Sequence, residues 1–310
     1  MTMNGSANTR DLILRRFARG RRRGERLVPG LLFLAASVSV LTTAGIVLIL
    51  LVDSLLFFRR VSVFEFFGGT ELAPLAPEPK FGVLPLLVGT LSTSLIAMAV
   101  AVPVGLAIAV YLSEYAPGRA RNMLKPVLEA LAGIPTIVYG FFAYSFVTPL
   151  LARLIPALEA KNALSPGIVM GFMIIPLIAS LSGDAMSAVP SALREGALAL
   201  GATRLEVTFR VVMPAALSGI IASFVLAVSR AVGETMIVAI AAGSNKTLTF
   251  DITGSMQTMT AYIVEFTSGD AASGTTGYYS LYAVGFTLFV FTLLMNMAAR
   301  HLSRRFREGV

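Results

Sequence analysis

Arg230 and Glu234 are charged residues in a stretch that is otherwise apolar enough to cross a membrane. Arginine presents a planar fork of N–H donors that suits an oxyanion, and the four-residue spacing would place both side chains on one face of a continuous helix. A charge near the bilayer centre costs about 2.5–3.5 kcal/mol on insertion scales, so both should face protein or a water-filled path. The pair predicts either an anion contact on a translocation path or a structural ion pair.

If the pair contacts an anion on a translocation path, Glu234, Thr136 and Tyr139 have further expected roles. Glu234 would hold the guanidinium of Arg230 in place, accept a proton from a partly protonated oxyanion and repel a fully ionised one. Thr136 and Tyr139 lie beside Pro135 and Gly140, where a broken helix would expose backbone N–H groups to an anion. A simple kink with satisfied hydroxyls remains the alternative at Thr136 and Tyr139.

The segment 184–214 is polar by the standard of this chain and lies between two apolar stretches. Its pattern is Glu195, Gly196 and Ala197, then Gly201 after three residues, with twelve residues between Gly201 and Pro214. Small residues let a short helix lie close against another protein, Gly201 allows a turn, and Pro214 suits the first turn of a helix. We expect this segment to contact a partner.

The composition indicates an integral membrane protein. Of 310 residues, 56% are hydrophobic and 14% are charged, whereas soluble domains contain about 25% charged residues. Cysteine is absent, which excludes disulfides and thiolate metal sites, and the one histidine, His301, lies in a basic tail. No metal site is predicted.

Six transmembrane helices are predicted, at residues 31–52, 83–112, 127–152, 166–183, 215–242 and 278–299. The first has 22 residues without a charge. The apolar core of a signal peptide has about 7–15 residues and a transmembrane helix needs about 20, so this segment is long enough to span the membrane. The remaining predicted regions are a basic N-terminus (1–30), an external loop (53–82) and a tail (301–310) around a permease core at 83–300.

The distribution of basic residues predicts the orientation. Of the 25 Lys and Arg, 18 lie in the N-terminus, the 115–126 loop, the 184–214 segment and the tail counted from Arg300, whereas the other three loops hold six. Short cytoplasmic loops carry an excess of Lys and Arg. We therefore expect both termini in the cytoplasm. The membrane orientation accounts for the basic residues, so we expect contact with membrane lipid and no nucleic-acid partner.

The pattern from Glu195 to Pro214 resembles the EAA loop of ABC importer permeases, which reads E-A-A, three residues, G, nine residues, I-x-L-P. Gly196, Val211 and Met213 stand where that pattern has Ala, Ile and Leu. The resemblance implies an all-α integral membrane protein of the type I ABC importer permease fold, with a cytoplasmic coupling helix that docks on a separate ATPase. On it, the ATPase-coupling residues are Glu195, Gly196, Ala197, Gly201 and Pro214. An ordinary amphipathic loop is the alternative.

The phrases YLSEYAP, LAGIPTIVYGFF and RAVGETM are similar to the phosphate-specific transport permeases, PstC more than PstA, over about residues 81–300. This resemblance implies half of the translocation path of a phosphate importer in the bacterial plasma (inner) membrane. Its implied partners are a second, PstA-like permease, a dimeric PstB-like ATPase and an external PstS-like phosphate-binding protein. It also matches Arg230 and Glu234 to functional residues of the family, so the expected substrate path comprises Arg230, Glu234, Thr136 and Tyr139.

The sequence lacks the G-x-x-x-x-G-K-[ST] phosphate loop of ATPases. We expect no catalytic residues and no cofactor in this chain, with ATP and Mg used by the partner ATPase. Three alternatives remain: a permease for another oxyanion (sulfate, molybdate or phosphonate), an ion-coupled secondary transporter with Arg230 and Glu234 as a proton relay, and a membrane scaffold or sensor that transports nothing.

Overall fold

The computed structural model describes the backbone of residues 6–269 and 274–307, and the side chains of residues 28–269 and 274–298. The chain forms two compact units, Met1–Val52 and Asp53–Val310. Within the described residues, the strands are limited to a short antiparallel pair, β1 (Leu72–Ala73) and β2 (Lys80–Phe81). The expected all-α architecture is confirmed.

The helices of the first half are α1 (Ser6–Phe58), α2 (Val63–Gly68), α3 (Leu84–Val110), α4 (Gly118–Gly133), α5 (Thr136–Phe142) and α6 (Thr148–Ala152). Those of the second half are α7 (Leu164–Ser187), α8 (Ser191–Ala199), α9 (Arg204–Val207), α10 (Met213–Ala215), α11 (Leu217–Val232), α12 (Met236–Ala241), α13 (Met259–Ser268) and α14 (Thr276–Arg307). Three π-helical turns, Tyr111–Tyr115, Ala143–Val147 and Thr208–Val212, continue α3, α5 and α9.

Four of the described helices are long and apolar enough to cross a membrane: Val28–Phe58, Leu84–Tyr115, Leu164–Ser187 and Thr276–Ala298. They agree with the predicted first, second, fourth and sixth spans. Two bent pairs raise the number to six if each pair is one span: Gly118–Gly133 with Thr136–Ala152, and Arg204–Ala215 with Leu217–Val232. Helices of this kind satisfy all their backbone hydrogen bonds internally, as a membrane requires.

The directions of α3 and α7 support counting the first bent pair as one crossing. Ile96 and Val100 of α3 lie against Gly167 and Gly171 of α7, so the contacts advance by four residues in both helices. The two helices are therefore parallel, and glycine at these positions lets them approach closely. Parallel neighbours require the chain between them to return once across the bundle, and the segment that does so contains α4 to α6.

The next connection stays at one end of the bundle. Ser182 of α7 shares a 2.8 Å hydrogen bond with Ser223 of α11, and Ala185 lies against Gly219. Since one number rises as the other falls, α7 and α11 are antiparallel. The chain between them, which contains α8, α9 and α10, lies at the end where α7 finishes and α11 begins.

The third span is broken beside Pro135, where the sequence predicted a break or a kink, and the fifth span is not the single helix predicted at residues 215–242. The residue before a proline disfavours helical backbone, so α4 ends at Gly133 and α5 begins after Pro135, with an 86° bend between the two helical segments. The residues 115–126, predicted as a loop, are largely helical because α4 begins at Gly118.

The fifth span is interrupted twice, and the loop that follows it is partly helical. The run Arg204–Ala215 meets α11 at 70°, and α11 and α12 are separate helices. Helix α13 lies inside the predicted loop 243–277, where the Thr258 hydroxyl accepts a hydrogen bond from the N–H of Ala261 and caps the helix.

Candidate functional site

Arg230 and Glu234 do not share one helix face, as the sequence analysis assumed. Helix α11 ends at Val232, and α12 begins at Met236, so Glu234 lies in the break between them. The four-residue rule holds only for a continuous helix, so the expected pairing across one face was wrong.

The carboxylate of Glu234 caps α12. Its Oε1 accepts hydrogen bonds from the N–H groups of Met236 at 3.1 Å and Ile237 at 3.4 Å, and the side chain is 9% exposed. The backbone carbonyl of Glu234 accepts a 2.7 Å bond from the Thr260 hydroxyl. The first N–H groups of a helix have no partner within it, and here they occupy the carboxylate that we expected to hold Arg230.

Arg230 instead faces a cavity of about 450 Å³ and is exposed. Residues of α4 and α7 line the same cavity, among them Lys125, Glu129, Ser180 and Asp184. Within the side chains that the structure describes, the guanidinium of Arg230 makes neither a hydrogen bond nor an ion pair. Its donors are therefore available to a solute or to water in the cavity.

Tyr139 lies beside the break that follows Arg230. Its hydroxyl donates a 2.8 Å hydrogen bond to the carbonyl of Leu131, so it connects α5 to the last turn of α4. The ring packs against a core cluster that contains Ala231 and Ile237. The structure thus places Tyr139, Arg230 and Glu234 in one neighbourhood.

Thr136 is the first residue of α5, one helical turn before Tyr139, and is half-buried. The helix break expected beside Pro135 is present, since Pro135 has extended backbone and α5 starts after it. Contact of Thr136 or Tyr139 with an anion stays a prediction.

The two broken segments pack directly together. A Cβ at Gly140 of α5 would lie 3.0 Å from the carbonyl oxygen of Met236 and 3.1 Å from the Cα of Ile237. Glycine at this position therefore brings α5 against the first turn of α12. The close approach holds the Pro135 break and the Glu234 break next to each other.

The predicted coupling residues Glu195, Gly196 and Ala197 lie on α8. No residue of this helix is buried, and a Cβ added at Gly196 would meet no atom within 4 Å. Leu200, which follows α8, is 91% exposed. The turn expected at Gly201 is present, with φ of +88°, a conformation that glycine adopts without strain.

Pro214 lies in the first turn of α10, as expected. The helix does not continue unbroken from Pro214 to Arg230, however, because of the 70° bend before Leu217. The predicted span 215–242 is therefore not one continuous helix between Pro214 and Arg230.

Sequence reasoning missed Glu114 and Arg194. They form an ion pair with a 3.2 Å separation of Nη2 and Oε1, and the side chains are 10% and 22% exposed. The glutamate of YLSEYAP, at the end of an apolar helix, was the available signal. Its partner is 80 residues away in sequence, so only the packing of α3, α7 and α8 reveals the pair.

Among the described residues, no group of three or more His, Asp or Glu side chains is arranged to hold a metal ion. The exposed guanidinium of Arg230 can donate hydrogen bonds to an anion in the cavity.

Comparisons with known proteins agree with this arrangement. Residues 101–308 match the family model described as "Binding-protein-dependent transport system inner membrane component". The "Probable ABC transporter permease protein YqgH" of Bacillus subtilis is 34% identical over 290 residues, which cover 91% of each chain. The "Phosphate transport system permease protein PstC 1" of Mycobacterium tuberculosis is 38% identical over 246 residues, covering 73% of each chain.

Two solved structures share the fold. One, the MetNI methionine ABC transporter in inward-facing conformations, has a TM-score of 0.54 at 16% identity over 73% of this chain and 94% of that chain. The other, a bacterial ABC transporter involved in the import of alginate, has a TM-score of 0.55 at 16% identity over 86% of this chain and 98% of that chain. The spanning helices, the two broken helices and these similarities lead to one conclusion. The chain belongs to the family of binding-protein-dependent transport system inner membrane components and is a permease subunit of an ABC importer.

Proposed function

We propose that this chain is the PstC-like permease subunit of an ATP-driven importer of inorganic phosphate and forms half of its translocation path. The observation that carries the proposal is the guanidinium of Arg230, which faces a cavity inside the bundle without a protein partner among the described side chains. An exposed arginine that faces a cavity without an ion-pair partner among the described side chains favours an anionic solute.

The chemistry of the cavity fits a small oxyanion. Arg230 supplies a fork of donors, Lys125 adds a second cation, and Ser180 adds a hydroxyl. The carboxylates of Glu129 and Asp184 line the same space and make it less favourable for a fully ionised anion. Relatives whose names specify phosphate transport add support for phosphate among the oxyanions.

The partners follow from the same proposal. The exposed surface of α8, with Glu195, Gly196 and Ala197, docks on a dimeric PstB-like ATPase, which binds and hydrolyses Mg-ATP. A PstA-like permease supplies the other half of the path, and a PstS-like protein delivers phosphate from outside. The distribution of basic residues supports a cytoplasmic location for α8 and for both termini.

The test is uptake of labelled phosphate into vesicles that contain the purified complex. We expect uptake to require internal ATP, the ATPase subunit and the external binding protein, and to resist competition by sulfate. Uptake driven by a proton gradient without the ATPase would overturn the ABC mechanism. Preferential uptake of sulfate, molybdate or phosphonate would overturn the assignment of phosphate.

Arg230→Gln should lower phosphate uptake about 10- to 100-fold, because a hydrogen bond to a charged group contributes about 1.5–3 kcal/mol. Arg230→Lys keeps the charge without the planar fork of donors, and its uptake rate should lie between those of the wild type and Arg230→Gln. The measurement is initial uptake rate per assembled complex, with assembly checked by co-purification of all subunits. Wild-type uptake by assembled Arg230→Gln would remove Arg230 from the path.

A further inference from the structure

Arg194 attaches α8 to two other helices. Its Nη1 donates to the carbonyl of Val189 at 2.6 Å, and its Nη2 donates to the carbonyl of Met186 at 2.7 Å, so it binds the end of α7. The same guanidinium donates to both carboxylate oxygens of Glu114, at 3.2 and 3.4 Å. One side chain of α8 thus holds the ends of α3 and α7 at once.

Glu114 is itself fixed in place. The hydroxyl of Ser113 donates to its Oε1 at 2.8 Å and lies 3.5 Å from the hydroxyl of Ser187 at the end of α7. Arg121 donates hydrogen bonds to the carbonyls of Leu112 and Ser113, which lie in the same π-helical turn as Glu114. The acceptor of Arg194 therefore lies in the helical turn that continues α3, where Ser113 also binds its carboxylate.

Apart from Arg194, α8 is attached by an apolar contact. None of its residues is buried, but Ala197 packs against a cluster that contains Met186 and Val189. Among the described residues, Arg194 is the side chain of α8 that hydrogen-bonds to the ends of α3 and α7. Helix α7 lines the cavity that Arg230 faces, so whatever moves α7 reshapes that cavity.

We propose that Arg194 and Glu114, named here the α8 clamp, are positioning residues that make α8 move as one body with the ends of α3 and α7. This inference rests on the proposed function, since it assigns the route by which movement of an ATPase docked on α8 reaches the path. The lateral route is distinct from the chain that joins α10 to α11, which bends by 70° and is not a straight rod.

The first test measures coupling. Glu114→Gln preserves the size of the side chain and removes its charge, which leaves a partly buried guanidinium without its counter-ion. We expect assembled complex to hydrolyse ATP at near the wild-type rate while phosphate transported per ATP falls about tenfold, within the range typical of coupling between sites. Glu114→Asp, which keeps the charge, should recover part of the ratio.

Arg119→Gln is the matched control. Arg119 is an exposed cation in the first turn of α4, close in sequence to Glu114. Its substitution should leave the amount of phosphate transported per ATP unchanged. An unchanged ratio in assembled Glu114→Gln would overturn the proposal, since a merely structural ion pair would alter the amount of complex and not its coupling.

The second test follows the helix directly and does not depend on the transported anion. The sequence contains no cysteine, so Ala188→Cys and Leu200→Cys, both exposed positions, can carry a pair of spin labels that reports α8 against α7. We expect one narrow distance distribution in the wild-type background, and a broadened one in Arg194→Gln. Equal widths in the two backgrounds would overturn the clamp.

The two proposals fail in different ways. If the wild-type complex takes up no phosphate but the labelled α8 loosens in Arg194→Gln, the phosphate proposal fails and the clamp stands. If phosphate uptake is normal while neither coupling nor label distances change in the variants, the clamp alone fails.

Discussion

Glu234 and Arg230 illustrate how much depends on local backbone at the residue scale. Four residues apart, they would meet on an intact helix, but the break after Val232 turns Glu234 toward the N–H groups of Met236 and Ile237. A carboxylate that caps a helix satisfies donors that have no other partner in a membrane. Arg230 is thereby left for the cavity.

Glu234→Gln and Glu234→Leu should separate the structural role of this residue from its charge. Gln retains an acceptor oxygen for α12, whereas Leu removes it and should lower stability by about 1 kcal/mol, as for loss of a helix cap. Thermal unfolding of the purified permease pair measures this difference. Equal stability of the two variants would argue against the cap.

The same Gln variant tests the role of the charge in selectivity. If Glu234 repels fully ionised anions, Glu234→Gln should take up sulfate more readily relative to phosphate. An unchanged preference in competition uptake would show that the charge has no part in selection, and that Glu234 acts only as a cap.

At the scale of elements, the site is built from two broken helices held side by side. Pro135 starts α5 and the Glu234 break starts α12, and glycine at position 140 lets these segments touch. Neither α5 nor α12 is long enough to cross a membrane. Each is stabilised by packing against the other, and a side chain added at Gly140 would crowd that contact.

Gly140→Leu should force α5 away from α12 and destabilise the permease by about 1–3 kcal/mol, the usual cost of overpacking. Even a Cβ would lie 2.9 Å from the Cδ1 of Ile240. Gly133→Ala is the matched control from the same bent pair, because its Cβ would meet nothing within 4 Å. Thermal unfolding and uptake rate are the measurements, and equal behaviour of the two variants would contradict this packing.

At the scale of the whole molecule, the directions of the helices determine which segments lie at each end of the bundle. Helices α3 and α7 are parallel, and α7 and α11 are antiparallel, so α8 lies at one end. Helices α11 and α12 lead away from α8, so the turns around Phe250 lie at the other end. The α8 clamp then lies at the end where the proposed ATPase binds.

Labelling of single cysteines tests this orientation. Leu200→Cys is on the α8 side, and Phe250→Cys, 76% exposed, is on the other. In intact cells a membrane-impermeant maleimide should label Phe250→Cys and reach Leu200→Cys only after permeabilisation. Labelling of both positions from outside would contradict the assigned topology.

The sequence by itself determined the properties that depend on short stretches of chain. Uncharged apolar runs predicted the four long spans, because a membrane helix satisfies its own backbone and needs only length and hydropathy. The spacing from Glu195 to Pro214 predicted a short exposed helix and the turn at Gly201, both of which the structure shows.

Tertiary structure decided the features that depend on which side chains become neighbours. Pro135 indicated that a break was available, but the close contact at Gly140 decided that α5 would lie against α12. Glu114 and Arg194 are 80 residues apart, and an ion pair over that separation forms only when packing brings two helix ends together. Arg230 was identifiable from its charge in an apolar run, whereas its open side toward the cavity follows from where α11 ends and what Glu234 binds instead.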